Sequence, residues 1–90
     1  MKVERTKSFL RSLANRPDRE LRSVGRAMQE ASVAFGQTHT HAGIGIRRLG
    51  KDLFECRAGL SLRLLFKRGP GVLTFIFAGN HDEILTYLRG

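Results

Sequence analysis

Between Glu4 and Ala14 the apolar side chains Phe9, Leu10 and Leu13 gather on one face of a helical wheel while Arg5, Lys7, Arg11 and Ser12 fall elsewhere. That pattern predicts a short amphipathic helix. Asn15-Arg16-Pro17 ends it, because the residue before a proline is pushed out of the α region, and Pro17 at a first helical position starts the next helix. From Pro17 to Phe35 the apolar residues Leu21, Val24, Met28, Ala31 and Phe35 stand 3, 4, 3 and 4 apart, which is the helical period. Asp18 and Glu20 sit near the positive end of this helix, and Gly36 supplies its stop. Two helices joined by a few residues predict an antiparallel αα-hairpin, whose shared apolar face needs a cover.

The cover is written in the second half of the chain, where the period changes to two. Ile44 to Leu49 alternates, and Leu53 to Ala58 places Phe54, Cys56 and Ala58 on one face with Glu55 and Arg57 on the other. Leu60, Leu62, Leu64 and Phe66 alternate with Ser61, Arg63, Leu65 and Lys67. Gly69-Pro70-Gly71 reads as a tight turn, and Val72 to Ala78 as an almost wholly apolar, interior strand. Asn80, with Glu83 three residues on, caps a C-terminal helix whose apolar side is Ile84, Leu85 and Leu88. The expected fold class is α+β: an N-terminal αα-hairpin packed on a four-stranded antiparallel sheet, with a short C-terminal helix and all helices on one side.

Length and charge then bound the function. Ninety residues suffice for one core, so residues 1–90 are expected to form a single domain. Lys and Arg number 16 against 8 acidic residues, a net charge of +8, which favours a polyanion or an acidic protein partner. No run approaches the ~20 apolar residues of a membrane span, and charge in Met1-Lys2-Val3-Glu4-Arg5 leaves no room for a secretory h-region. One cysteine, Cys56, excludes an internal disulfide and reads as a small core residue, so a cytoplasmic location is expected. The chain carries no Gly-rich nucleotide loop and no recognisable nucleophile motif, and no cofactor is expected.

Few residues are placed to do chemistry. His39-Thr40-His41 offers at most two metal ligands in a loop-like setting, and His81-Asp82 lacks the further histidines that a metal phosphohydrolase would need, so no metal site is expected. Arg57 and Arg63 lie on adjacent strands near the Gly59 turn. They form either a phosphate-binding fork or ion pairs with Glu55 or Asp52 that cap the sheet. His81 stands where the last strand gives way to the helix: either an ordinary first-turn residue or, since histidine donates and accepts protons near neutrality, a proton-transfer group. Tyr87, two turns on, is either a core tyrosine or part of the same surface.

Taken in order, Gly45-Ile46-Arg47-Arg48-Leu49, Asp52-Leu53-Phe54-Glu55-Cys56-Arg57-Ala58-Gly59, Leu62-Arg63-Leu64-Leu65-Phe66 and Phe77-Ala78-Gly79-Asn80-His81 resemble the RelE/ParE toxin superfamily. Its members share a basic E-x-R-x-G-x-x-x-R pattern, a hydrophobic strand and a G-x-H segment. The resemblance implies the toxin of a type II toxin–antitoxin pair. In the RelE branch such toxins are ribosome-dependent mRNA endoribonucleases, whereas the ParE branch poisons DNA gyrase without nuclease residues. By position it implies Arg57, Arg63, His81 and Tyr87 as catalytic residues, with Arg47, Arg48, Lys51 and Lys67 as RNA contacts. The family's usual tyrosine before the third-strand arginine is Leu62 here.

The implied reaction is metal-independent attack of the RNA 2′-hydroxyl on the adjacent phosphate. The implied partners are a cognate antitoxin in a hetero-oligomer, and the ribosome with its mRNA. The alternatives are a ParE-like gyrase inhibitor and a non-toxic basic binding module. Ten of the 16 basic residues precede Leu49 and are expected to supply general affinity for a polyanion rather than chemistry.

Overall fold

The computed structural model describes residues 1–36 and 45–90. Its elements are β1 (Lys2–Arg5), α1 (Lys7–Leu13), α2 (Asp18–Phe35), β2 (Arg47–Gly50), β3 (Leu53–Arg57), β4 (Arg63–Gly69), β5 (Val72–Gly79) and α3 (His81–Arg89). The sheet has five strands in the order β1-β5-β4-β3-β2, not four. The added strand lies where a helix was expected to begin: Lys2 to Arg5 pairs in parallel with Val72 to Phe75. Four residues with three exposed charged side chains carry almost no period-two signal, and only the backbone ladder makes them a strand. Thr6 then opens α1, its Oγ1 accepting from the Phe9 amide at 3.0 Å and donating to the Ile76 carbonyl at 3.1 Å.

That junction also replaces the expected αα-hairpin. α1 is stitched to β5, with Ser12 Oγ accepting from the Ala78 amide at 2.9 Å, and each helix packs on the sheet, α1 against β5 and α2 against β3. Leu10, expected in the core, is 52% exposed, and Leu21 is also exposed. Pro17 is the N-cap residue of α2 rather than its first turn. The buried stripe of α2 is Val24, Ala27, Met28, Ala31 and Ala34, rotated from the face that Leu21 suggested, because small alanines let the helix lie close to the sheet.

Strand ends moved as well. Leu60, read as a strand residue, projects from the β3–β4 turn fully into solvent, and β2 begins at Arg47, with Gly45 and Ile46 outside it. Ile44 and the His39-Thr40-His41 segment lie outside the described residues. The tight turn is as read: Gly71 has φ +70, a conformation that favours glycine, between the paired residues Gly69 and Val72.

One face of the sheet, under α1 and α2, holds the main core: Phe54, Cys56, Leu62, Leu64, Phe66, Leu73 and Phe75 with Phe9 and the α2 stripe. Leu65 and Ile84 are equally buried yet stand outside that cluster. Leu65 alternates with Leu64 and Phe66 and so points to the opposite face, where its cross-strand partner Phe77 stacks on Tyr87 with ring centroids 4.7 Å apart. α3 therefore covers the second face, contrary to the expectation of helices on one side only. A bulge between Leu65 and Phe66 shifts the β4–β5 register. The α3 cap is as read, with Asn80 and Glu83 forming a reciprocal capping box. No helix among the described residues is long and apolar enough to cross a membrane.

Candidate functional site

The face that α3 leaves partly open is fixed by alternation. With Phe54, Cys56, Leu64 and Phe66 turned to the core, Glu55, Arg57, Arg63, Leu65 and Lys67 must turn the other way. Register orders them into rows across the strands. Arg57 stands directly opposite Arg63, and Arg63 opposite Gly79. The next row runs from Arg47 to Glu55, Leu65 and Phe77, and the one beyond pairs Leu53 with Lys67. Directly opposed residues hold their Cβ atoms about 5 Å apart, so the two arginines share one patch.

Of the sequence-derived candidates, Arg47, Arg57, Arg63 and Lys67 are thus brought onto one face. Arg48 is not: it pairs with Phe54 on the core side at the sheet edge, and its Nε donates to the Gly50 carbonyl at 3.1 Å. Lys51 lies exposed in the β2–β3 turn. His81 is exposed at the first position of α3, two residues beyond the Gly79 that pairs with Arg63. Tyr87 joins through Phe77, one row from Arg63 or about 7 Å along the strand. Gly79 leaves little room for a side chain where these elements meet, since a Cβ there would come within 2.9 Å of Glu83 Oε1 and 3.0 Å of the Phe77 ring.

The electrostatics divide the arginines. Arg63 Nη1 bonds Glu55 Oε1 at 3.3 Å, with Arg63 26% and Glu55 1% exposed. Arg57 has no ion-pair partner among the described residues. The other pairing considered from sequence resolves elsewhere: Asp52, in the β2–β3 turn with φ +59, takes Arg68 at 3.3 Å. The sequence offered Glu55 as a partner for either arginine, and it is Arg63 that takes it, over a carboxylate that is buried. Glu55 is two residues before Arg57 and hence diagonal to Arg63 once the strands pair.

Two hollows flank the Asn80–Glu83 cap. One of about 430 Å³ lies beside the aromatic pair and is lined by Phe77, Asp82, Thr86 and Tyr87 with the cap itself. The other, of about 450 Å³, lies on the α2 side under the β3–β4 turn, where Arg16 is already tied to Glu20 at 3.1 Å. The first shares Phe77 and Tyr87 with the arginine face, while Arg57, Arg63 and His81 do not line it.

Among the described residues no three His, Cys, Asp or Glu side chains gather as a metal site. Cys56 is buried, and its thiol is pushed up from 9.0 to about 12, first by burial and then by the nearby charges of Glu30 and Glu55. The native protein is therefore expected to resist thiolate-directed reagents at pH 8, and to react fully once unfolded in guanidinium, as read by chromogenic disulfide exchange. The folded state favours the neutral thiol, so the stability tied to this group is whole below pH 9 and declines as pH rises towards about 12.

No protein-family model and no curated protein sequence matches the chain. Solved structures do. Over 93% of this chain and 96% of the other, it superposes on RelE from the RelB–RelE antitoxin–toxin complex of Methanococcus jannaschii, with TM-score 0.71 and 12% identity. A YoeB/ParE toxin from Agrobacterium tumefaciens matches with TM-score 0.70 at 19% identity over 90% and 99% of the two chains. YafQ from E. coli matches with TM-score 0.66 at 12% identity over 92% and 96%. The fold is that of the RelE/ParE-like toxins.

Proposed function

We propose that this chain is the toxin of a type II toxin–antitoxin pair and that it cuts mRNA on the ribosome. The observation that carries the reading is the opposed pair Arg57 and Arg63, set on the open sheet face at the strand end where His81 begins α3. Two arginines directly opposed on a partly covered face suit a phosphate, which guanidinium groups bind in a fork geometry.

RNA supplies its own nucleophile. The 2′-oxygen attacks the adjacent phosphorus, the bond from phosphorus to the 5′-oxygen breaks, and the products are a cyclic phosphate and a 5′-hydroxyl end. The 2′-hydroxyl gives up its proton to solvent water and the leaving oxygen gains one. Arg57 and Arg63 stabilise the charge that builds on the phosphate, a term that is large because the donors are set before reaction. His81 transfers the proton to the leaving oxygen. Tyr87, backed by Phe77, orients the phosphate or stacks on a base. Arg47 and Lys67 extend the patch for the flanking backbone. A cognate antitoxin with an acidic segment covers this surface, and its binding weakens as salt is raised.

The test is translation in a cell-free extract with primer-extension mapping of mRNA ends. Wild type is expected to create new ends, and His81→Ala to lower the cleavage rate ~10²–10⁴-fold. Intact mRNA together with trapped gyrase–DNA complexes sinks the nuclease reading in favour of a ParE-like poison. Cleavage by His81→Ala at the wild-type rate removes that residue from the chemistry.

A further inference from the structure

Glu55 is the one buried charged side chain among the described residues, and the chemistry above does not use it. Its surroundings are basic. Arg47 is its partner on β2, Arg57 lies two residues along its own strand, and Arg63 reaches it from β4. Only one carboxylate oxygen is engaged: Oε2 is buried without a hydrogen-bond partner.

Such an arrangement is poor as a stabilising device. A buried ion pair returns little beyond its desolvation cost, and an apolar pair of the same volume does as well or better. An orphaned buried oxygen adds to the cost. What the pair does supply is position. Arg63 faces a like charge directly across the ladder, and without a counter-charge its long side chain would turn away from Arg57 into solvent. Glu55, diagonal to it and beneath it, holds the guanidinium over the sheet. The contact is single rather than forked and uses Nη1 alone, so most of the five N–H donors of Arg63 stay available on the side left open.

We infer that Glu55 is a positioning residue of this site, whose buried carboxylate fixes the Arg63 guanidinium beside Arg57 so that both present donors to one phosphate. The inference rests on the phosphate-cleaving reading for its catalytic consequence, but the positioning itself can be measured without cleavage.

Two readouts separate them. In the first, inorganic phosphate is titrated into ¹⁵N-labelled protein and the Arg63 Nε–Hε resonance is followed. Wild type is expected to show a dispersed Arg63 signal that phosphate shifts. In Glu55→Met the signal collapses among those of the exposed arginines and no longer responds, and in Glu55→Gln, which keeps an oxygen acceptor, most of the response remains. In the second, RNA cleavage is measured at saturating substrate. Glu55→Met is expected to fall to within threefold of Arg63→Met, and the double variant Glu55→Met/Arg63→Met to cut no worse than Arg63→Met alone, with Glu55→Gln retaining most of the rate. Thermal melts confirm that each variant is folded at the assay temperature, and the double variant, which removes both charges, keeps the comparison open if Arg63→Met is too unstable.

An Arg63 signal in wild type as averaged and unresponsive as in Glu55→Met overturns the inference. So does a Glu55→Met protein that cuts at the wild-type rate, or a loss that simply adds to that of Arg63→Met. Wild type that cuts no RNA defeats the nuclease reading, and the phosphate titration then still decides the role of Glu55.

Discussion

Replacing Phe66 by alanine is expected to cost about 4 kcal/mol, within the range for emptying a buried aromatic site. Phe66 is wholly buried on the central strand and touches the rings that join the layers: Phe54 at 5.8 Å on β3, Phe75 at 5.0 Å on β5 and Phe35 at 5.7 Å on α2. Removing it opens a cavity that no single neighbour can refill, because those rings approach from different elements. A chain of this length has roughly 5–13 kcal/mol of total stability at the usual per-residue value, so the variant sits near its unfolding threshold. At about 4–8 °C per kcal/mol for a domain of this size, the melting temperature should drop by at least about 16 °C in a circular dichroism melt. A drop under about 5 °C would mean that the aromatic cluster is not the centre of the core.

Phe66 also illustrates what could be read from the chain in advance. Its place in an alternating run put it on the core face, and the same alternation put Glu55, Arg57, Arg63 and Lys67 on the other. The Asn80–Glu83 box was legible because capping is a local property of a few residues. What was not legible depended on partners distant in sequence. β1 has one inward apolar residue, Val3, and becomes a strand only because β5 offers it a ladder some 70 residues later. The side on which α3 packs turned on Leu65 and Phe77, a buried and a half-buried apolar residue on the sheet's second face that imply a cover alternation alone does not name. The Glu55–Arg63 pair was one of several arrangements compatible with the sequence, and the strand register selected it.

For Arg63 the expected results in stability and in activity run in different orders, and that difference gives the site its sharpest test. Arg63→Met strands Glu55, which is 1% exposed, as a buried carboxylate without its ion-pair partner. Breaking a buried pair from one side costs several kcal/mol, and since Arg63 is itself about a quarter exposed the expected loss is about 3 kcal/mol, at the low end of that range. Glu55→Met is milder, because the freed cation can swing into water. The double variant should regain most of what Arg63→Met loses, since neither charge is then buried alone. Activity should follow no such recovery. With the fixed guanidinium gone, RNA cleavage is expected to fall ~10²–10³-fold in Arg63→Met, the effect of deleting one preorganised donor to a developing oxyanion, and to stay there when Glu55→Met restores the fold. Chemical denaturation and single-turnover cleavage on the same four proteins decide the matter. A double variant that regains activity along with stability would show that Arg63 serves the fold and not the phosphate, whereas regained stability with cleavage still lost places Arg63 in the reaction.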